Sequence, residues 1–366
     1  MTLGVILAIG ESLSDLKSKG QLKRLLDYNI KRYSESFDQV FIFSYDNEKN
    51  FNLPKNCQLI ANTSRLHRYP YSILMPIIKR KEITRCDVLR GLQLSGGIPA
   101  VIAKIIYGKR FIINYGYDYS KFAKIEDKNF QSFLYKLIQK LILVLADKVI
   151  VTSTEIKERL EKIIDKSKII YIPNGVDLNL FRPFKKEQTN KILNVLYIGR
   201  LEKQKNLTIL IKAMATIKSP YQLTFFGQGS QKKELTKLAN KLNVSLIIKD
   251  PVEYIKLPEI LSDTDIFVLP SQEEGSPKIL LEAMACQKAV VGSNVKGISE
   301  IIIHDYNGLL TNPDPKGIAN AIKKLDNKST RERLGENARK YISKNYEIHS
   351  LLDKEVELLK KAAVKK

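Results

Sequence analysis

In segment 270–285, Glu274 precedes a predicted helix start and Glu282 follows it. Ser276 has the chemistry of a helix N-cap and Pro277 that of a first helical residue. Glu274 would then lie on the preceding loop, with Glu282 about 7.5 Å along the helix axis. The free N–H groups at a helix start attract phosphate. This segment could therefore offer one acid for a sugar, donors for a diphosphate and a second acid for a ribose.

Two residues of this helix are open to simpler interpretations. Lys278 lies in the first turn, where its charge opposes the helix dipole unless an anion binds nearby. Glu282 could be a solvent-facing acid, but the residues around it are apolar: Ile279, Leu280, Leu281, Ala283, Met284 and Ala285. We therefore predict a largely buried helix. Gly275, Ser276, Pro277 and Lys278 join the two glutamates as candidate ligand-binding residues.

Two glycine turns follow predicted strands in the same half of the chain. Gly199 follows strand 195–198 and precedes Arg200 and Lys205, two cations that suit a diphosphate; a solvated basic loop is the alternative. Gly227 and Gly229 follow strand 222–226, where glycine would let the backbone approach a ligand. Any turn between a strand and a helix favours glycine, so this second signal is weak by itself.

These motifs require strands that deliver them to one edge of a sheet. Short β-branched runs alternate with amphipathic segments along the chain, which predicts α/β architecture with parallel, doubly wound sheets. The segment 172–191 interrupts the pattern with Pro, Asn-Gly and polar residues typical of a linker. We predict a Rossmann-like domain over 1–180, a second over 181–345 and a charged terminal helix over 346–366 able to pack on the first. Ligands of two such domains would bind in a central cleft at the carboxyl ends of the strands.

Composition limits the classes of protein. The 366 residues are 44% hydrophobic and 27% charged, as expected for a globular chain. Three separated cysteines and three isolated histidines fit neither a disulfide framework nor a zinc site. The first strand lacks the features of a signal peptide and no apolar run is long enough to span a membrane, so we expect a cytoplasmic protein.

The net charge of +22 is unevenly distributed. Residues 1–180 carry 29 basic and 18 acidic side chains, a surplus of eleven positive charges. Residues 51–150 alone carry 17 basic and 6 acidic side chains, so this segment accounts for the whole surplus of the first half. Basic and aromatic residues alternate in 65–71 and are followed by Lys79, Arg80, Lys81 and Arg85. An anionic membrane face is one candidate partner and a solvated basic surface is the alternative. RNA- and DNA-binding motifs are absent from the sequence, so nucleic acid is not expected as a partner.

The second half resembles the retaining glycosyltransferases of group 1, or family 4. The matching motifs are IPNGVD from Ile172, YIGRLEKQKN from Tyr197, FFGQGS from Phe225, EGSPKILLEAMA from Glu274 and GISEIIIHDYNGLL from Gly297. The resemblance implies a GT-B fold and transfer of a hexose-type sugar from a UDP- or GDP-sugar to a glycan or lipid-linked acceptor. It also implies that Arg200 and Lys205 bind the diphosphate, Glu274 the sugar hydroxyls and Glu282 the ribose, without a metal cofactor. A nucleotide-sugar epimerase, a phosphorylase and a polyanion-binding protein are the alternatives.

The first half departs from the family pattern. Its candidate phosphate loop, residues 17–21, has one glycine, and no histidine follows strand 110–114. Asp118 or a tyrosine hydroxyl could contact the sugar or acceptor instead, or Asp118 could cap a turn. Asp263 and Asp265 match the Asp-x-Asp signature of metal-dependent glycosyltransferases, but they precede a predicted strand and would lie at the wrong edge of the sheet.

Overall fold

The computed structural model describes residues 1–116, 129–184 and 192–364, with side chains left out for 129–134. The chain divides into two compact units. One comprises Met1–Pro173 and His349–Lys366, and the other comprises Asn174–Ile348.

The first unit contains a seven-stranded parallel sheet in the order β3-β2-β1-β4-β5-β6-β7. Its strands are β1 (Thr2–Ile6), β2 (Gln39–Phe43), β3 (Cys57–Ile60), β4 (Val88–Gly91), β5 (Arg110–Tyr115), β6 (Lys148–Val151) and β7 (Ile169–Tyr171). The helices are Leu13–Ser18, Leu22–Arg24, the π-helical Leu25–Ile30, Lys31–Ser36, Arg68–Ile78, Arg80–Arg85, Gly97–Tyr107, Asn129–Leu145 and Thr154–Leu160, with a 3₁₀ turn at Lys166–Lys168.

The second unit contains a six-stranded parallel sheet in the order β10-β9-β8-β11-β12-β13. Its strands are β8 (Leu193–Ile198), β9 (Tyr221–Phe226), β10 (Leu246–Lys249), β11 (Ile266–Leu269), β12 (Ala289–Ser293) and β13 (Leu309–Thr311). The helices are Leu207–Met214, Lys232–Lys241, Leu257–Ser262, Lys278–Ala285, Pro315–Lys324 and Lys328–Asn345, with 3₁₀ turns at Lys203–Lys205 and Tyr254–Lys256.

Both sheets are doubly wound, which confirms the predicted fold class. In each, the first strand of the unit pairs with its second on one side and its fourth on the other. The chain leaves these central strands in opposite directions, and the gap between the departing loops is where such sheets bind ligands. Some predicted strand bounds were wrong: β8 begins at Leu193, not at residue 195, and β9 begins at Tyr221, not at residue 222.

Each unit has its own apolar core. The terminal helix, Ile348–Ala363, contributes Leu351, Val356 and Leu359 to the first core. It also buries Glu355, whose Oε1 accepts hydrogen bonds from Arg90 Nε and the Tyr33 hydroxyl, each at 2.6 Å. Arg90 is 1% exposed, so the sheet of the first unit holds this helix by a buried ion pair as well as by apolar contact.

Candidate functional site

The predicted binding motifs of the second half meet at the switch point of the second sheet. The loop after β8 contains Gly199, Arg200 and Lys205, and the loop after the adjacent β11 contains Glu274. From these two strands the chain continues towards β9 in one direction and β12 in the other. The two loops therefore border the gap at which ligands of doubly wound sheets bind.

Lys205 and Glu274 form an ion pair across this gap. The Nζ of Lys205 lies 2.6 Å from Oε1 of Glu274, and the two side chains are 14% and 11% exposed. The fully buried Ser271 donates its hydroxyl proton to the same Oε1 at 2.7 Å. Both donors share Oε1, and Oε2 accepts no hydrogen bond from the residues that the structure describes.

Two hydrogen bonds fix the two loops against each other. Gln272 donates its backbone N–H to the carbonyl of Gln204 at 3.0 Å, and the side-chain Nε2 of Gln204 donates to the carbonyl of Glu273 at 3.0 Å. Asn206 ends the 3₁₀ turn Lys203–Lys205 in the left-handed region, with φ 54°. Sequence reasoning missed Gln204, which lies within the motif YIGRLEKQKN, and Ser271, which lies three residues before the motif EGSPKILLEAMA.

Arg200 is exposed, and its guanidinium makes no hydrogen bond within the described residues. Its carbonyl accepts the hydroxyl proton of the buried Tyr197 at 2.9 Å, which holds the turn after β8. Burial raises the pKa of the Tyr197 phenol, and the nearby Glu274 carboxylate raises it further. The phenol therefore stays protonated and acts as a donor to this turn.

The glycines of the two turns allow backbone to pack on backbone. A Cβ at Gly227 would lie 1.9 Å from the carbonyl oxygen of Gly199, and one at Gly229 would lie 2.3 Å from that of Leu201. A Cβ at Gly199 would lie 2.5 Å from the Tyr197 hydroxyl. These contacts thus explain why glycine is required at the three positions. The approach of the glycine backbones to a ligand stays a prediction.

The helix of the Glu274 motif begins one residue later than predicted. It spans Lys278–Ala285, and Pro277 occupies the N-cap position with an extended ψ of 106°. Ser276 does not cap the helix; its carbonyl instead accepts a hydrogen bond from Asn174 at 2.8 Å. A Cβ at Gly297 would lie 2.3 Å from the Glu274 carbonyl oxygen. Tertiary contacts from two distant motifs hold this segment extended, and local capping signals cannot reveal them.

The predicted burial of this helix is confirmed. Glu282 is 3% exposed, and the flanking residues Leu280, Leu281, Ala283, Met284 and Ala285 are buried with it. Lys278, in contrast, is exposed in the first turn. The helix thus presents a cation to solvent at its amino end and buries a carboxylate in its middle.

Another carboxylate, that of Glu202, holds the turn after β9. Its Oε1 accepts the Ser230 N–H at 2.9 Å and its Oε2 accepts the Ser230 hydroxyl at 2.6 Å. These hydrogen bonds lower the pKa of Glu202. The Ser230 N–H, which lies just before helix Lys232–Lys241, therefore already donates a hydrogen bond within the protein.

Asp263 and Asp265 lie at the amino edge of β11, as expected. Asp265 Oδ2 accepts the N–H of Asn194 at 2.8 Å, and the Asn194 amide donates to the carbonyl of Asp263 at 3.1 Å. These contacts join β11 to the start of β8, at the sheet edge opposite Lys205 and Glu274. No group of three or more metal-ligating side chains occurs in the described parts of the chain.

The first unit differs from expectation at its switch point. Residues 17–21 do not form the exit loop of β1: Lys17 and Ser18 end helix Leu13–Ser18. Glu48 covers the amino end of that helix, accepting the N–H groups of Leu13 at 3.0 Å and Ser14 at 2.9 Å. A side chain of the protein thus occupies donors that a phosphate would need. Asp118 lies outside the described residues.

Two doubly wound parallel sheets in one chain constitute the GT-B fold of nucleotide-sugar-dependent glycosyltransferases. Residues 179–341 match the family described as glycosyl transferases group 1, and residues 38–180 match glycosyltransferase family 4. An uncharacterized glycosyltransferase of Methanocaldococcus jannaschii is 33% identical over 264 residues, 67% of each chain. The protein belongs to glycosyltransferase family 4.

Two further similarities concern proteins with named ligands or substrates. A Campylobacter jejuni enzyme is 31% identical over 201 residues, 51% of this chain and 52% of its own. Its name is N-acetylgalactosamine-N,N'-diacetylbacillosaminyl-diphospho-undecaprenol 4-alpha-N-acetylgalactosaminyltransferase. The Anabaena protein HepE, in complex with UDP-glucose, aligns with a TM-score of 0.74 at 16% identity, covering 98% of this chain and 99% of its own. At this identity the similarity to HepE establishes the fold alone.

Proposed function

We propose that the protein is a retaining, metal-independent glycosyltransferase that moves a hexose-type sugar from a UDP- or GDP-sugar. The observation that carries the proposal is the Lys205–Glu274 pair at the switch point of the second sheet, with the exposed Arg200 on the same loop. This arrangement combines cations for a diphosphate with a carboxylate for sugar hydroxyls.

The proposed donor site assigns a role to each part of the two loops. Arg200, Lys205 and the amino end of helix Lys278–Ala285 bind the diphosphate, with Lys278 adding a further cation. Glu274 accepts hydrogen bonds from the transferred sugar through its available Oε2, and Glu282 binds the ribose hydroxyls. The backbones of Gly199, Gly227, Gly229, Gly275, Ser276 and Pro277 line the donor.

The proposed chemistry needs no protein nucleophile. The acceptor hydroxyl attacks the anomeric carbon on the face from which the diphosphate leaves, and a diphosphate oxygen receives the hydroxyl proton. Negative charge grows on the leaving diphosphate, and fixed cations stabilise it more in the transition state than in the ground state. Arg200 and Lys205 supply this stabilisation, which a metal ion supplies in other glycosyltransferases.

The proposed acceptor is a glycan or a lipid-linked sugar, used at the cytoplasmic face of a membrane. Its support is the name of the Campylobacter jejuni relative, which specifies a diphospho-undecaprenol acceptor. Within the described ranges, no helix is long and apolar enough to cross a bilayer. Peripheral attachment is therefore proposed, through the basic block at residues 51–150. Asp118 is proposed to contact the acceptor side.

The test combines donor binding with product analysis. In a thermal-shift panel of nucleotide diphosphates and their sugars, a ligand at about 100 times its dissociation constant adds about 2.7 kcal/mol of stability. We expect UDP- or GDP-sugars to stabilise the wild type and to stabilise Lys205→Ala much less. NMR of the product should then give the same anomeric configuration as the donor. An inverted product, a donor-sugar epimer without transfer, or a requirement for orthophosphate would contradict the proposal.

A further inference from the structure

Three helices of the first unit form one layer over its sheet. Arg68–Ile78 packs against Gly97–Tyr107, which packs against Asn129–Leu145. They follow β3, β4 and β5, and each leads to a parallel strand further along the sheet in the same direction. Because such crossovers are right-handed, the three helices cover the same face of the sheet.

The outer surface of this layer is apolar. It contains 11 of the 21 exposed large hydrophobic side chains found in the described ranges: Tyr69, Ile73, Leu74, Ile77, Ile78, Ile105, Ile106, Tyr135, Leu137, Leu141 and Val144. Ile73, Ile77 and Ile105 are 55%, 52% and 69% exposed. We call this set the apolar face. Because helix Arg68–Ile78 also buries Tyr71 and Met75 in the core, apolar side chains line both of its sides.

Exposed cations border the apolar face. Arg80 and Lys81 follow the first helix, and Lys136 and Lys140 lie on the third. None of the four forms an ion pair within the described residues. The face also lies within the segment 51–150 that carries the surplus of eleven positive charges. Apolar side chains bordered by unpaired cations match the chemistry of an anionic bilayer surface.

We propose that the apolar face inserts into the headgroup region of an anionic bilayer. A second copy of the chain would bring these unpaired cations close to the same cations of its partner, so self-association through this face is electrostatically unfavourable. A bilayer with anionic lipids neutralises the cations and receives the apolar side chains together. The proposal adds an apolar contribution to the electrostatic attraction that the sequence suggested, so binding should resist salt in part.

The sequence contains no tryptophan, which permits a direct test. Ile73→Trp and Ile105→Trp each place a single indole on the apolar face. Ile255→Trp is the matched control, because Ile255 is 48% exposed in the second unit. With vesicles containing 30 mol% phosphatidylglycerol, as ~3:7 mixtures with phosphatidylcholine, we expect blue-shifted emission from the first two variants and quenching by brominated lipid chains. Ile255→Trp should show neither.

Sedimentation with the same vesicles separates the apolar and charged contributions. The triple variant Ile73→Ser, Ile77→Ser, Ile105→Ser should lose roughly tenfold or more in partition coefficient, because each change removes several buried CH₂ groups. The matched triple variant Ile247→Ser, Ile255→Ser, Ile303→Ser should bind as the wild type does. Changing Arg80, Lys81, Lys136 and Lys140 to Gln should weaken binding mainly at low salt.

Two outcomes would overturn the proposal. One is unshifted emission from both Ile73→Trp and Ile105→Trp with anionic vesicles. The other is a wild-type dimer in sedimentation velocity that the first triple variant dissociates, which would make the face an interface between copies. Thermal shift with nucleotide sugars on the same variants tests the proposed donor site independently. If that proposal fails, the variants show no stabilisation by nucleotide sugars, but membrane insertion is unaffected.

Discussion

The Nζ of Lys205 lies 2.6 Å from Oε1 of Glu274, although 69 positions separate the two residues in the chain. Adjacent parallel strands bring them together at their carboxyl ends. We expect Lys205→Ala and Glu274→Gln each to lower kcat/KM for sugar transfer roughly 100-fold or more, because each removes a preorganised charged group. Steady-state kinetics is the measurement, with circular dichroism to verify folding.

Matched controls lie next to both residues. Lys203 is exposed two positions before Lys205, and Glu273 is exposed immediately before Glu274. Lys203→Ala and Glu273→Gln should keep near wild-type rates. Near wild-type transfer by Lys205→Ala or Glu274→Gln would remove the donor-site assignment.

Ser271 positions Glu274 without needing to contact the substrate. We expect Ser271→Ala to lower kcat/KM about fivefold, corresponding to the loss of one hydrogen bond worth about 1 kcal/mol. Ser271→Thr retains the hydroxyl and should recover part of the rate. Equal activity of Ser271→Ala and the wild type would show that Lys205 alone positions the carboxylate.

Gly227 is the most crowded of the turn glycines. Gly227→Ala places a methyl group 1.9 Å from the Gly199 carbonyl oxygen, which requires the backbone to move. We expect the free energy of unfolding to fall by about 2 kcal/mol or more. Urea denaturation measures this, and Gln228→Ala at the next, exposed position should change stability little.

The buried pair of Arg90 and Glu355 gives a prediction for the terminal helix. Glu355→Leu leaves the Arg90 guanidinium buried without its carboxylate, which should cost about 3–5 kcal/mol of unfolding free energy. The double variant Arg90→Met, Glu355→Leu should be more stable than Glu355→Leu alone. Limited proteolysis should cleave helix Ile348–Ala363 fastest in the single variant. Additive losses in the double variant would exclude a coupled pair.

Chelation tests the metal-free mechanism. We expect transfer to continue at an unchanged rate in excess EDTA, because Arg200 and Lys205 are proposed to stabilise the leaving diphosphate. Asp263→Asn and Asp265→Asn should create no metal requirement and abolish none. Asp265→Asn should lower the free energy of unfolding by about 1 kcal/mol, because the substituted amide side chain accepts a weaker hydrogen bond from the Asn194 N–H than the Asp265 carboxylate does. Complete loss of activity on chelation would overturn the mechanism.

The sequence by itself determined the family and the fold class. Alternation of apolar strands with amphipathic helices is a local pattern, and it predicts parallel sheets without knowledge of contacts. Motifs such as EGSPKILLEAMA combine residue types with fixed spacing, so they carry the resemblance to the family. The burial of Glu282 also followed from its apolar neighbours, because a helix surrounded by such residues must pack inside.

Only the tertiary structure decided which groups touch. The Lys205 ammonium on Glu274, the Asn174 amide on the Ser276 carbonyl and the packing of Gly227 on Gly199 all join distant positions. Such contacts depend on strand order, which a local pattern does not specify. The start of the helix at Lys278 likewise depends on neighbours from other motifs. The sequence specifies the residue types and their spacing along the chain. The distances between their side chains are set only when the strands assemble into the sheet.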